Sequence, residues 1–159
     1  MKQSPRDKKL EEVLRSSKLV AGGFMGTDTR HPIEVIEQDV IALENLGFTA
    51  GQVAARMREL TELAKPRLGN WIDSAFEHLR VKSEDFKGML VCPWPHAGRF
   101  DKRITTVERL DTGQKLSWTD LNIHMIEQHG FFEGRGAFFR IEPAEIVQIL
   151  FEGLTRRDK

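Results

Sequence analysis

The stretch "VCPWPHAGRF" (91–100) holds Cys92, the only cysteine of the chain, with His96 four positions on. A second stretch, "LNIHMIEQHG" (121–130), holds His124 and His129, five positions apart. Thiolate sulfur and imidazole nitrogen are the donors of tetrahedral transition-metal sites, at about 2.3 Å and about 2.0–2.1 Å from the ion. Pro93 and Pro95 stiffen the first segment, so one tight turn can present both Cys92 and His96. On an ideal helix, positions five apart point roughly 140° from one another, which is poor for chelation. A widened last turn before Gly130 relaxes that objection. The spacing leaves other outcomes open. Cys92 can be a small buried hydrophobe among unrelated imidazoles. Three protein ligands can leave a position for water. A Cys92 thiolate in contact with a basic histidine would be a nucleophile. His31 and His78 lie outside the cluster and read as surface residues.

A second candidate is "HGFFEGRGAFFR" (129–140), where Gly134 and Gly136 flank Arg135. Such a loop can turn backbone N–H groups toward an anion or other ligand, although its spacing matches neither a P-loop nor a dinucleotide fingerprint. Asp120 and Glu127 fall near His124, where one carboxylate can orient an imidazole. Asp120 also suits the positive end of a helix. Trp94, Trp118, Phe100, Phe131 and Phe132 cluster around the same region. They read as core, or as stacking surfaces for single-stranded nucleic acid if Arg99, Lys102, Arg103 and Arg135 share one exposed face.

The segment from Cys92 to Gly130 resembles the ββα zinc finger of the Cys2His2 type, carried by "LNIHMIEQHG" after a hairpin. The resemblance implies His124 and His129 as zinc ligands and Leu121 as the leucine beneath them. Cys92 and His96 stand where the family has two cysteines, and 27 residues separate His96 from His124, against about a dozen in the family.

The elements that must position these side chains emerge from periodicity and punctuation. Ser4 and Pro5 open a helix over about 5–17, and "VAGGFMGTDTRHP" reads as a loop. Pro32 opens a second helix with Ile33, Ile36, Val40 and Leu43 at helical spacing, closed by Gly47. Thr49 and Gln52 form a capping-box pair for a third, which stops at Pro66. "LENLGFTAGQVAARMREL" has a helix-turn-helix flavour, but its second helix runs on to Ala64. Asn70 caps an expected fourth helix carrying Trp71, Ile72, Ala75, Phe76 and Leu79 inward. "MLVC", "RITTVERL", "QKLSW" and "AFFRI" read as strands, with "DTG" (111–113) as a hairpin turn. Thr119 caps a helix over about 120–129, and Glu142 and Pro143 open the last one. The expectation is an α+β fold. A helical region of about four helices (1–80) packs with a small α+β region (86–154), made of an antiparallel sheet and a hairpin–helix unit, the two forming one compact unit.

The 159 residues carry 24 basic and 24 acidic side chains. This balance disfavours a dedicated nucleic-acid binder, which usually has a basic field. A single cysteine excludes an internal disulfide framework, and no apolar run reaches the ~20 residues of a membrane span. A cytoplasmic location is expected, with no membrane partner. The functional expectation is a regulatory or interaction module, open to a protein partner or self-association, with a structural zinc. The alternatives are a small enzyme with a Cys/His-centred or metal-dependent site and a nucleic-acid-binding module.

Overall fold

The computed structural model describes residues 3–74, 78–96 and 98–157, with backbone alone for the last five. Helix α1 (Pro5–Arg15) starts where Ser4 accepts a hydrogen bond from the Asp7 N–H. Helix α2 (Pro32–Asn45) ends before Gly47, whose φ of 86° is the left-handed turn that only glycine adopts freely. Helix α3 (Ala50–Ala64) opens on the expected capping box of Thr49 and Gln52.

The chain then departs from the expected fourth helix. Leu68 and Gly69 both take positive φ, and the Asn70 amide turns back to the Arg67 carbonyl instead of capping forward. Beyond Asn70 the backbone is extended: β1 (Ile72–Ser74) and β2 (Leu79–Val91), with Ile72 opposite Val81. Leu79, Val81 and Ser83 are buried at every second position, the period of a strand with one covered face. Ala75 and Phe76 lie outside the described residues. The expected strand at 89–92 is the far end of β2, which starts ten residues earlier.

Strands β3 (Arg99–Arg109) and β4 (Lys115–Thr119) complete an antiparallel sheet in the order β1-β2-β3-β4. The hairpin turn at 111–113 is as expected, with Gly113 at φ 77°. Helix α4 (Asp120–His129) comes directly after, opened by a capping box of Thr119 and Asn122 and closed by Gly130 at φ 63°. "AFFRI" is not a strand. Residues 137–141 fold through hydrogen-bonded turns, leaving Phe138 86% exposed while Ile141 is buried. The half-buried Arg140 holds the turn through its ion pair with the buried Asp39 on α2. Helix α5 (Pro143–Arg157) is last. The described fold is therefore α+β, with five α-helices and a four-stranded antiparallel sheet.

Two apolar clusters organise this fold. The larger one joins Leu43 of α2, the buried face of α3, Leu79, Val81 and Val107 of the sheet, Trp118, Ile126 of α4 and Ile146, Ile149 and Leu150 of α5. A chain of hydroxyls crosses it. The Trp118 indole N–H donates to Thr61 Oγ1 at 2.9 Å, and Thr61, Thr105 and Ser83 continue the chain, so these buried polar groups are satisfied. The smaller cluster joins Leu14, Phe24, Met25, Val35, Cys92, Leu121, Met125 and Phe131. It wedges the N-terminal helices against the turn after β2 and against α4, and the Cys/His residues sit on it. Among the described residues, no helix is long and apolar enough to cross a membrane.

Candidate metal centre

Cys92 comes directly after the last residue of β2 and is 3% exposed. Its backbone N–H donates to the Gly98 carbonyl, closing the turn toward β3. Within that turn the His96 N–H donates to the Trp94 carbonyl at 2.8 Å, which curls His96 back over Cys92. His124 and His129 come from the middle and the end of α4. Buried Leu121 and Met125 pack in the smaller core, between the two histidines around the helix, while Ile123 and Ile126 anchor its opposite side in the larger core. Apolar anchoring at 121 and 125 thus turns 124 and 129 toward the β2–β3 turn.

Four donor atoms converge there. Sγ of Cys92 lies 3.6 Å from Nε2 of His129. Nε2 of His96 lies 3.2 Å from Nε2 of His129 and 3.2 Å from Nε2 of His124. All four donors fall within 4.8 Å of one another. A tetrahedron built on ordinary zinc bond lengths has edges of ~3.4 Å between nitrogens and ~3.6 Å between nitrogen and sulfur. The three close separations match these edges to within about 0.2 Å. The group can therefore hold a metal ion. The turn supplies two donors and the helix two, as the sequence suggested.

The electrostatics favour the metal-ready form. Burial, aided by the neighbouring imidazoles of His124 and His96, holds His129 down at about 4. Burial and then His96 lower His124 as well. Both rings are thus neutral at pH 7, with lone pairs to give. Burial raises the Cys92 thiol, against a smaller opposing effect of the Trp94 backbone N–H, so Cys92 is a protonated thiol without an ion.

Trp94, one aromatic among several in the sequence, lies flat on His129, with ring centroids 4.0 Å apart and planes 4° apart. Phe100 lies against His124 at 4.6 Å. These rings wall the site and restrict the imidazoles. Such supports were not legible in the sequence, because partners in space have no fixed spacing along the chain. Asp120 and Glu127 are both turned to arginines. Asp120 accepts from Arg103 at 2.6 Å, and Glu127 takes the two-pronged Arg58 at 2.8 and 3.1 Å. His31 pairs with Glu11, and His78 is exposed at φ 56°.

The loop around Arg135 has a different setting. Its N–H donates to the carboxylate of Asp28, and the Gly134 N–H donates to the Phe24 carbonyl. Thr27 donates back to the Arg135 carbonyl. The two glycine-rich loops, 21–27 and 130–136, thus interlock backbone to backbone. A Cβ on Gly26 would stand 2.2 Å from the Ala137 nitrogen, one on Gly134 2.4 Å from the Met25 carbonyl oxygen, and one on Gly136 2.6 Å from Thr27 Oγ1. These glycines permit close approach of two chain segments. Of the basic residues considered for nucleic acid, Arg103 is buried and held by Asp85 and Asp120.

No protein-family pattern matches the chain, and neither the curated proteins nor the solved structures include one similar to it. The ββα likeness is confined to β3, β4 and α4. Cys92 and His96 lie in the turn before β3, and the donors are one thiol and three imidazoles.

Proposed function

We propose that this chain is a zinc-binding module, in which one ion held by Cys92, His96, His124 and His129 clasps the β2–β3 turn to α4. The observation that carries the reading is that three of the six donor separations, 3.6, 3.2 and 3.2 Å, fall at tetrahedral edge lengths, with all four donors within 4.8 Å of one another. Hydrogen bonding alone accounts poorly for it. An imidazole nitrogen has one lone pair or one hydrogen to offer in the ring plane, yet His96 Nε2 faces two other Nε2 atoms at the same short distance. An ion at the centre satisfies all of them together. One thiolate and three imidazoles form a borderline-soft set, suited to zinc and its first-row neighbours.

Four protein donors are the number used by structural sites. Metal binding that ties two segments together is folding free energy, so the smaller apolar cluster and α1 above it depend on the ion. This favours a regulatory or interaction module over an enzyme. A ligand thiol must stay reduced, which fits the cytosol. The test is elemental analysis of protein purified without a metal-affinity tag. Near-stoichiometric zinc supports the reading. Stoichiometric copper or iron keeps the centre and replaces the ion. A metal-free, folded protein that gains no thermal stability from added zinc overturns it.

A further inference from the structure

The four donors are not equally covered. Cys92 is buried on the core side, whereas His124 and His129 are half-buried and His96 is exposed. Outward of them lies a solvent-facing recess of about 240 Å³, lined by His96, His124, Gln128 and His129 and by no atom of Cys92. The sulfur thus lies beneath the three nitrogens, and the recess lies above the face that they form. Zinc centres can expand from four to five donors, and an added donor would reach an ion held here through the face of the three imidazoles. In this molecule the position opposite the thiolate is the solvent-facing one.

Charge and size favour one class of entrant. A divalent ion with one thiolate and three neutral imidazoles carries a net charge of about +1 in a half-buried setting, where an unbalanced charge attracts a counter-ion strongly. The two carboxylates of the same helix on this side, Asp120 and Glu127, are already engaged by Arg103 and Arg58. Gln128 brings an amide to the rim of the recess. A water takes roughly 30 Å³ of liquid volume, so the recess admits a small anion with part of its hydration shell.

We infer that the metal centre accepts a fifth, exogenous ligand, a small monodentate anion of the hydroxide or azide kind, through the face of His96, His124 and His129 and opposite Cys92. This rests on the zinc reading above. It gives the clasp a position at which a small anion binds reversibly.

The test uses the full chain loaded with cobalt(II) in place of zinc and titrated with azide. A thiolate-to-cobalt charge-transfer band, lost in Cys92→Ser, establishes the centre itself. Azide is expected to cause a saturable loss of the visible tetrahedral bands as the ion becomes five-coordinate, with the charge-transfer band retained but shifted. Gln128→Leu, which removes the rim amide and puts an apolar group over the recess, is expected to weaken azide by roughly fivefold or more, the equivalent of one hydrogen bond. Visible bands indifferent to azide would show a closed four-coordinate ion, overturning this inference while leaving the zinc reading intact. Azide affinity unchanged in Gln128→Leu would place the anion elsewhere and equally overturn it. Failure to bind cobalt at all would remove both.

Discussion

Sγ of Cys92 lies 3.6 Å from Nε2 of His129, across 37 positions of chain. The first atom sits at the end of a strand and the second at the end of a helix, so any ion that joins them fixes the sheet to α4. Removing a primary ligand costs more than the 10- to 100-fold typical of an outer-shell change. Cys92→Ser and His129→Ala should each weaken zinc by more than about 100-fold. The zinc-dependent rise in thermal midpoint should vanish in both, while the metal-free variants melt within a few degrees of metal-free wild type. Competition with a chromophoric chelator and melting with and without zinc check this. Equal zinc-dependent stabilisation in wild type and variants would count against the site.

Proton release is the second consequence. The His129 imidazole sits at about 4 and His124 is also lowered, so neither holds a proton to displace at neutral pH. The Cys92 thiol, raised by burial, does hold one. Zinc binding should therefore release about one proton, and apparent affinity should climb about tenfold per pH unit above neutrality. Calorimetry in buffers of different ionisation enthalpy measures this number directly. The lowered imidazoles carry their own stability signature. A depressed folded value contributes stability that is present above the unfolded value and lost as pH falls. Metal-free protein should accordingly weaken from roughly pH 6.5 down toward about 4.

Trp94 is stacked on His129 at 4.0 Å, which makes it the natural reporter of the centre. Zinc should change the tryptophan fluorescence of the wild type. The change should disappear in Trp94→Phe, because Trp118 is buried in the larger cluster and Trp71 lies beside Arg80 at the sheet's outer edge. A full zinc-dependent signal in the variant would show that the ion binds elsewhere.

Glu133 is buried with a left-handed backbone at φ 67°, and its carboxylate accepts from the Asn122 amide at 2.7 Å. Burial raises it to about 7, against the smaller opposing effects of Asn122 and Arg140. A raised folded value means that the stability contribution is fully present below the unfolded range, near pH 4.5, and is lost as pH climbs through about 7. Glu133→Gln removes this titration. The stability of the variant relative to wild type should improve by on the order of 3 kcal/mol between about pH 5 and pH 8. Denaturant unfolding of both proteins at the two pH values measures it, and a pH-independent difference would refute the assignment.

The interlocked loops give a sharper mutational test. Gly26→Ala and Gly134→Ala each place a methyl group against backbone, at 2.2 Å and 2.4 Å. Each should destabilise by about 3 kcal/mol or more. Gly22→Ala, in the same loop but with open space around it at φ 79°, should cost only about 1 kcal/mol of backbone strain. Similar losses at all three positions would show that the loops do not interlock.

Features written in neighbouring residues were legible from the chain alone. Caps at Ser4, Thr49 and Thr119, the stop at Gly130 and the hairpin at 111–113 all came from spacings of a few positions, because helix ends and turns are satisfied by local hydrogen bonds. The four candidate donors were equally legible, since Cys92 and His96 share one stiffened turn, and His124 and His129 share one helix. That the two pairs meet is a matter of packing between distant segments. The β3–β4 hairpin folds out of the way between them, and the burial of Leu121 and Met125 sets the rotation of α4. Ile72 and Leu79 looked helical yet lie in strands, because pairing with Val81 and Arg109 across the sheet outweighs a weak local preference. The glycines of both loops owe their place to each other. A close approach between segments more than 100 residues apart leaves no periodic trace in either one.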